Sequence, residues 1–291
     1  MATGALAVLE GRRHGLVGAN ERATMRSPLR ERIADEMMAL LGTGRQTRRY
    51  PGLAMADAYA IAAKVCDRRQ RRGERVVGRK IGFTNTTIWP LYDVSAPMWN
   101  FMYDTTVHDL SAMAAGFDLA GLPEPRIEPE IVLGLSRAPV PGMSEVELLG
   151  CVDWLAHGFE IVQSVFPGWK LSGPESAAAF GLHGALMIGP RHPIGDDGAG
   201  WQERLEALTI TLHRDGVAVA EGAGRDVLGG PVRALRFLVE EIARYPGSEP
   251  IAAGEIVTTG TLTDAQPVRP GEGWSTELRG ISVDGIAVRF A

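Results

Sequence analysis

The chain has 291 residues, of which 45% are hydrophobic and 22% charged, with a net charge near −5. That composition is ordinary for a soluble globular protein, long enough for one large domain or two small ones. The mild acidic excess argues against a nucleic-acid or anionic-membrane partner. The absence of any apolar run near ~20 residues argues against a membrane span.

Residues 1–27 are rich in small residues and arginine. Their apolar stretch, Ala5–Leu9, is short and is followed at once by Glu10 and the pair Arg12-Arg13. That is a poor signal peptide. The segment is expected to be a loosely ordered extension, and the cytoplasm the location. Leu29 to Leu41 is predicted helical, with Ile33, Met37, Met38 and Leu41 on one face. Ala54 to Arg71 is a second helix, with Ala58, Ile61, Ala62 and Val65 at helical spacing. Its basic tail, Arg68 to Arg72, sits where the helix dipole favours cations and is expected to be solvated, and Gly73 ends it.

After Gly78 short strand-like runs dominate: Lys80–Thr84, Ile131–Leu135, Ala185–Ile188, Leu208–His213, Val217–Ala220, Glu255–Thr259 and Ile281–Phe290. Asp215-Gly216 between two such runs signals a hairpin. Two further helices are expected. One runs from Ser144 to His157 and opens with Ser144 and Glu147 in capping-box spacing; the other, Pro231 to Tyr245, opens with proline. Residues 28–75 therefore form a small helical part and 76–291 a β-rich domain. Cys66 and Cys151 fit neither a disulfide framework nor a zinc site and are expected to be buried thiols. No glycine-rich phosphate loop follows a strand.

The segment Pro125-Arg-Ile-Glu-Pro-Glu-Ile-Val-Leu carries the chemistry. Glu128 and Glu130 are two residues apart, so an extended segment sends both to one face, and the apolar run after them enters a core. Like charges at the mouth of a buried strand call for a cation between them, and a hard divalent ion with oxygen ligands answers that need. On spacing alone an acidic edge segment in water is the favoured reading, and Pro129 supports it. Glu160, flanked by Phe159, Ile161 and Val162 where the third helix gives way to a strand, is a third carboxylate in need of a partner. Three such groups suit magnesium or manganese better than zinc. Lys80, in a short strand, either snorkels outward or faces an anion.

Together these segments resemble the 2-keto-4-pentenoate hydratase family, within the fumarylacetoacetate hydrolase superfamily, over roughly residues 30 to 290. Gly78-Arg-Lys-Ile-Gly-Phe-Thr84 resembles its lysine-bearing strand. Arg126-Ile-Glu-Pro-Glu-Ile resembles its carboxylate pair, and Phe159-Glu-Ile-Val-Gln-Ser the segment of its third metal ligand. Gly254-Glu-Ile-Val-Thr-Thr-Gly-Thr-Leu-Thr is similar to its C-terminal strand and turn, and Arg279-Gly-Ile-Ser-Val-Asp-Gly to its closing hairpin.

The resemblance implies an α+β fold, a mixed β-roll with a small helical N-terminal part, assembled as a homo-oligomer. It implies Mg2+ or Mn2+ on Glu128, Glu130 and Glu160, and a small 2-oxo acid against Lys80, Thr84, Trp169 and Thr261. The implied reaction is hydration of a 2-hydroxy-2,4-dienoate or 2-oxo-4-enoate in aromatic catabolism. Decarboxylation of an oxalocrotonate-like diacid, acylpyruvate hydrolysis and ligand binding without turnover are the alternatives. The chain departs from the family pattern at Gln163, where an aspartate is usual, and at Ala179–Gly184 and Val94–Asn100, where acidic or polar stretches are usual. His183 stands in place of a small hydroxyl residue. It is expected, with Lys80, to act in catalysis, with a hydrogen-bonded structural role as the alternative; His157 is a second acid/base candidate for which the structural role is the favoured reading. Met98, Trp99, Phe166 and Trp169 would together make the pocket more apolar than usual, although core packing is the favoured reading for any single one of them.

Overall fold

A computed structural model describes residues 27–92, 94–195, 198–245 and 247–291. The extension expected over residues 1–27 lies, apart from Ser27, outside them. Helix α1 spans 27–40, and α2 spans Met55–Arg71. They are followed by β1 (Val76–Gly82), α3 (Trp89–Tyr92), β2 (Met98–Tyr103), β3 (Val107–Asp109) and β4 (Arg126–Leu135). Next come α4 (Glu145–Leu149), β5 (Val152–Val162), α5 (Gly173–Ala178), β6 (His183–Pro193) and α6 (Gly198–Ala207). The chain closes with β7 (Thr209–Arg214), β8 (Val217–Ala223), α7 (Pro231–Ala243), β9 (Ile256–Thr261), β10 (Gln266–Pro267), β11 (Gly273–Arg279) and β12 (Ala287–Arg289).

The fold is α+β. A mixed sheet in the order β2-β1-β9-β4-β5-β6-β3, with β10 on β4, packs near a smaller antiparallel sheet, β12-β11-β7-β8. In the large sheet β1–β9 and β3–β6 are parallel pairs; the other pairings are antiparallel. Ile127, Phe159, Ile161 and Met187 of the large sheet bury themselves against Leu212, Trp274 and Val288 of the small one. A second cluster joins Ile131, Leu133 and Leu155 to Ile33 and Met37 of α1, Ile61 of α2 and Leu235 and Leu238 of α7. Ile127 and Ile161 are cross-strand partners pointing at the small sheet. With a side-chain period of two, the adjacent partners Glu128 and Glu160 must leave the opposite face.

Three expectations needed correction. The helix expected from Ser144 to His157 is only α4: the capping box of Ser144 and Glu147 forms, but the helix stops at Gly150 and the chain enters β5 at Val152. The slot between β4 and β6 gives that segment two rows of backbone partners, which outweigh its helical pattern. The basic end of α2 is not simply solvated. Arg68 pairs with Glu31 and Asp35 of α1, and buried Arg69 pairs with Glu74 and lies 3.6 Å from the centre of the Tyr103 ring. Of the run Ile281–Phe290, only Ala287–Arg289 is strand, and β11 before it carries the ladder to β7. Asp215 and Gly216 do turn the β7–β8 hairpin, both with positive φ as a type I′ turn requires. Cys66 and Cys151 are buried free thiols.

Candidate metal centre

β4 and β5 pair so that Glu128 faces Glu160 across the ladder and Glu130 lies two residues further along the same face of β4. One carboxylate oxygen from each comes within 4.8 Å of the other two. Glu130 and Glu160 are fully buried, and Glu128 is half-buried and opens onto a cleft. The Gly260 N–H, at the end of β9, donates to Glu130 Oε2 at 2.7 Å, and Glu130 Oε1 has no hydrogen-bond partner. His183 Nδ1 lies 2.8 Å from Glu160 Oε1; Glu160 Oε2 has no hydrogen bond, though Lys80 Nζ is 3.3 Å away.

Burial pushes the Glu128 carboxyl up to about 7; Lys80 pulls against that shift and the Glu160 charge adds to it. Burial, then the charges of Glu160 and Glu128, hold Glu130 well above the ordinary carboxylate range. Burial also opposes ionisation of Glu160, but Lys80 and His183 outweigh it and its pKa is lowered. For Lys80 burial opposes the charge, and the three glutamates more than compensate, raising its pKa. One ammonium thus serves three carboxylates, two of which keep an unpartnered buried oxygen. Leaving such oxygens without a partner is costly. The donor set, all oxygen and all anionic, fits a hard divalent cation.

Beside the carboxylates lies a cleft of about 230 Å3. Of the residues expected to meet substrate, Lys80, Thr84, Trp169 and Thr261 all line it. His183 does not: it is 3% exposed and sits behind Glu160. His157 is also buried and away from the cleft, between the Glu130 carbonyl oxygen (2.9 Å) and Thr276 Oγ1 (2.9 Å). Met98 and Trp169 supply apolar wall, whereas Trp99 and Phe166 belong to the core.

The sequence reading passed over Arg126, Phe83, Tyr92 and Asp264, which also line the cleft. Arg126 lies two residues before Glu128, so the alternation that joined Glu128 to Glu130 already placed it on their face. Its guanidinium stacks 4.2 Å from the Trp169 ring centre and has no ion pair or hydrogen bond among the described residues. Phe83, Trp169 and Leu182 all hold positive φ, at 56°, 57° and 63°. Such conformations cost on the order of 1–2 kcal/mol per residue and collect at functional sites.

Residues 105–285 match the fumarylacetoacetate (FAA) hydrolase C-terminal family. The chain is 29% identical over 243 residues to a 2-hydroxyhexa-2,4-dienoate hydratase of Comamonas testosteroni, covering 82% of this chain and 88% of that one. It is 30% identical over 236 residues to a 2-keto-4-pentenoate hydratase of Paraburkholderia xenovorans, covering 80% and 83%. Among solved structures, a 4-oxalocrotonate decarboxylase from Pseudomonas putida G7, complexed with magnesium and adipate, superposes with a TM-score of 0.79 at 23% identity. That match covers 92% of this chain and 98% of that one.

Proposed function

The chain belongs to the fumarylacetoacetate hydrolase family, and from that membership and its carboxylate centre we propose that it is a divalent-metal-dependent hydro-lyase of aromatic-compound catabolism. Its substrate would be a 2-hydroxy-2,4-dienoate or the tautomeric 2-oxo-4-enoate. The names of the two hydratase relatives support the reaction class. The observation that carries the reading is the convergence of Glu128, Glu130 and Glu160 within 4.8 Å at the side of a cleft that Lys80 also enters.

Glu128, Glu130 and Glu160 would hold Mg2+ or Mn2+, which when bound polarises the oxygens of a 2-oxo acid and lowers the energy of its enolate. The remaining work falls to the chain itself. Lys80, the buried ammonium at the cleft, offers charge to a carboxylate or enolate oxygen and is the group placed to carry a proton to or from carbon. Thr84 offers a hydroxyl to the ligand's polar end, while the Thr261 hydroxyl donates to the Thr263 carbonyl and Thr261 contributes to the cleft wall. Met98 and Trp169 cover its hydrocarbon part and exclude water. In this reading residues 28–75 are a helical cover on a catalytic domain of 76–291, in a cytoplasmic homo-oligomer. No helix among the described residues is long and apolar enough to cross a membrane.

A second reading, decarboxylation of an oxalocrotonate-like diacid, is favoured by Arg126: its unpaired guanidinium on the cleft wall suits a second carboxylate. One experiment separates the readings. The purified chain is incubated with Mg2+ and either a 2-hydroxydienoate or an oxalocrotonate-like diacid, and ultraviolet absorbance and carbon dioxide are followed. Loss of absorbance that EDTA abolishes and Mg2+ restores, without carbon dioxide, is expected. Stoichiometric carbon dioxide from the diacid selects the decarboxylase. Unchanged absorbance with saturable ligand binding defeats both.

A further inference from the structure

We propose that His183 is a positioning residue for the carboxylate centre. Its Nδ1–H holds one oxygen of Glu160 so that the other faces Lys80 and the oxygens of Glu128 and Glu130. This rests on the metal-binding reading above and adds the means by which this chain orients its third ligand.

Geometry fixes the imidazole and its tautomer. His183 is 3% exposed, so water cannot supply its hydrogen bonds. Nε2 lies 3.0 Å from Thr106 Oγ1. Glu160 Oε1, 2.8 Å from Nδ1, belongs to a carboxylate and can only accept, so the imidazole proton sits on Nδ1. In the neutral ring Nε2 then accepts from the Thr106 hydroxyl, which lies nearer to it than to the Tyr103 carbonyl at 3.2 Å. The backbone is held as well: Gln163 Nε2 donates to the His183 carbonyl at 3.0 Å, and His183 pairs with Val162 at the start of β6.

Two features separate this arrangement from ordinary packing. First, Glu130 is treated in the same way by an unrelated donor: the Gly260 N–H holds Oε2, and Oε1 is left unpartnered. In both fully buried glutamates one oxygen is pinned and one is kept for something else. Second, His157, equally buried, shows how this fold satisfies a structural histidine, with a backbone carbonyl and a threonine and no carboxylate. Without the Nδ1–H, both oxygens of Glu160 would be open to Lys80 Nζ, 3.3 Å away. The ammonium would then draw the carboxylate into a tighter pair at the expense of a metal ion.

The test is Mn2+ affinity, measured by calorimetry on the full chain, for wild type, His183→Asn, His183→Gln, His183→Leu and Thr106→Val, with the metal-free unfolding midpoint of each. Asparagine can place an N–H near the Nδ1 position, whereas glutamine places it one carbon further out and leucine has none. Expected is affinity within about threefold of wild type for His183→Asn and a loss of about 10–100-fold for His183→Leu and His183→Gln. Thr106→Val, which leaves the imidazole in place, should fall between them and serves if the leucine variant does not fold. Wild-type affinity in His183→Leu or His183→Gln, or an equal loss in the asparagine and leucine variants, overturns the inference and leaves the metal site standing. Absence of Mn2+ binding in the wild type overturns both.

Discussion

Glu128 and Glu160 stand directly opposite each other in the β4–β5 ladder, so two carboxylates leave the same face of the sheet as a cross-strand pair. Like charges in that position destabilise a sheet. Glu130 adds a third on the same face, and both Glu130 and Glu160 are wholly buried. The scaffold tolerates this through one ammonium, Lys80, and two pinning donors, Gly260 N–H and His183. The centre is therefore strained toward cation binding, and removing one of its carboxyl groups should raise stability while lowering ligand affinity.

Replacing Glu130 by Gln removes a carboxyl whose ionisation the metal-free fold opposes, while keeping an acceptor for the Gly260 N–H. The metal-free variant should be more stable than wild type by about 1 kcal/mol or more, raising its unfolding midpoint by roughly 2 °C for a chain of this size. Wild type with Mg2+ at a hundred times its dissociation constant should gain about 2.7 kcal/mol, and the variant nothing. Thermal melts with and without Mg2+ check both halves; a variant that Mg2+ stabilises as much as wild type would remove Glu130 from the ligand set.

Lys80→Met leaves Glu160 without its cation in a site of almost no exposure. Breaking a buried pair in this way costs on the order of 3–5 kcal/mol. Added Mg2+ should recover much of that loss, because it can neutralise the same carboxylates. Turnover should nevertheless fall by about 100-fold or more with metal saturating, since Lys80 is the group this reading assigns to move the proton. Steady-state rates at saturating Mg2+, read beside the melts, distinguish a lost catalytic group from a weakened fold.

Gly260 has φ +102°, and a Cβ added there would overlap the Thr84 side chain. Gly260→Ala should therefore displace the N–H that pins Glu130 and the Thr84 hydroxyl that lines the cleft. About 1–3 kcal/mol of stability and at least tenfold in Mg2+ affinity should be lost. Calorimetric titration with Mg2+ measures the second effect directly, and an unaltered affinity would show that the N–H plays no part in holding Glu130.

What could be read before the fold was known followed local rules. Period-two alternation joined Glu128 to Glu130, and the same rule, had it been carried two residues back, would have added Arg126. Glu160 was found as a carboxylate among apolar residues, but its neighbourhood was misjudged. The capping box of Ser144 and Glu147 announces a helix, and only the slot between β4 and β6 decides that it ends after Leu149. Gly260 was out of reach because its N–H meets Glu130 only through the shifted β4–β9 register. His183 could be noticed as a titratable group, but whether it faced the cleft or the back of Glu160 depends on how β6 enters the sheet. Contacts set by alternation within one strand were legible, and those set by register between strands were not.

The buried His157 gives the fold a pH dependence whose sign can be worked out. Its Nδ1–H donates to the Glu130 carbonyl oxygen, and Nε2 accepts from the Thr276 hydroxyl, an arrangement that requires the neutral ring. Burial lowers its pKa from 6.5 to about 4. Between those values the unfolded chain carries a proton that the folded chain lacks, so stability rises with pH across that window. The contribution is complete above pH 6.5 and is lost progressively down to about pH 4, about 3 kcal/mol in all. Glu128 works in the opposite direction: its raised value, about 7 against an ordinary 4.5, stabilises the fold at low pH, and that contribution fades as pH rises through 7. The two contributions oppose each other, so the histidine must be isolated by difference. In His157→Asn the side-chain amide can still donate to the carbonyl but cannot titrate. Urea unfolding of both proteins at pH 7 and pH 4.5 should show wild type losing about 2 kcal/mol more than the variant on acidification. Equal losses would mean that His157 is protonated in the folded protein at pH 4.5, and that the neutral hydrogen-bonding pattern drawn here is incorrect.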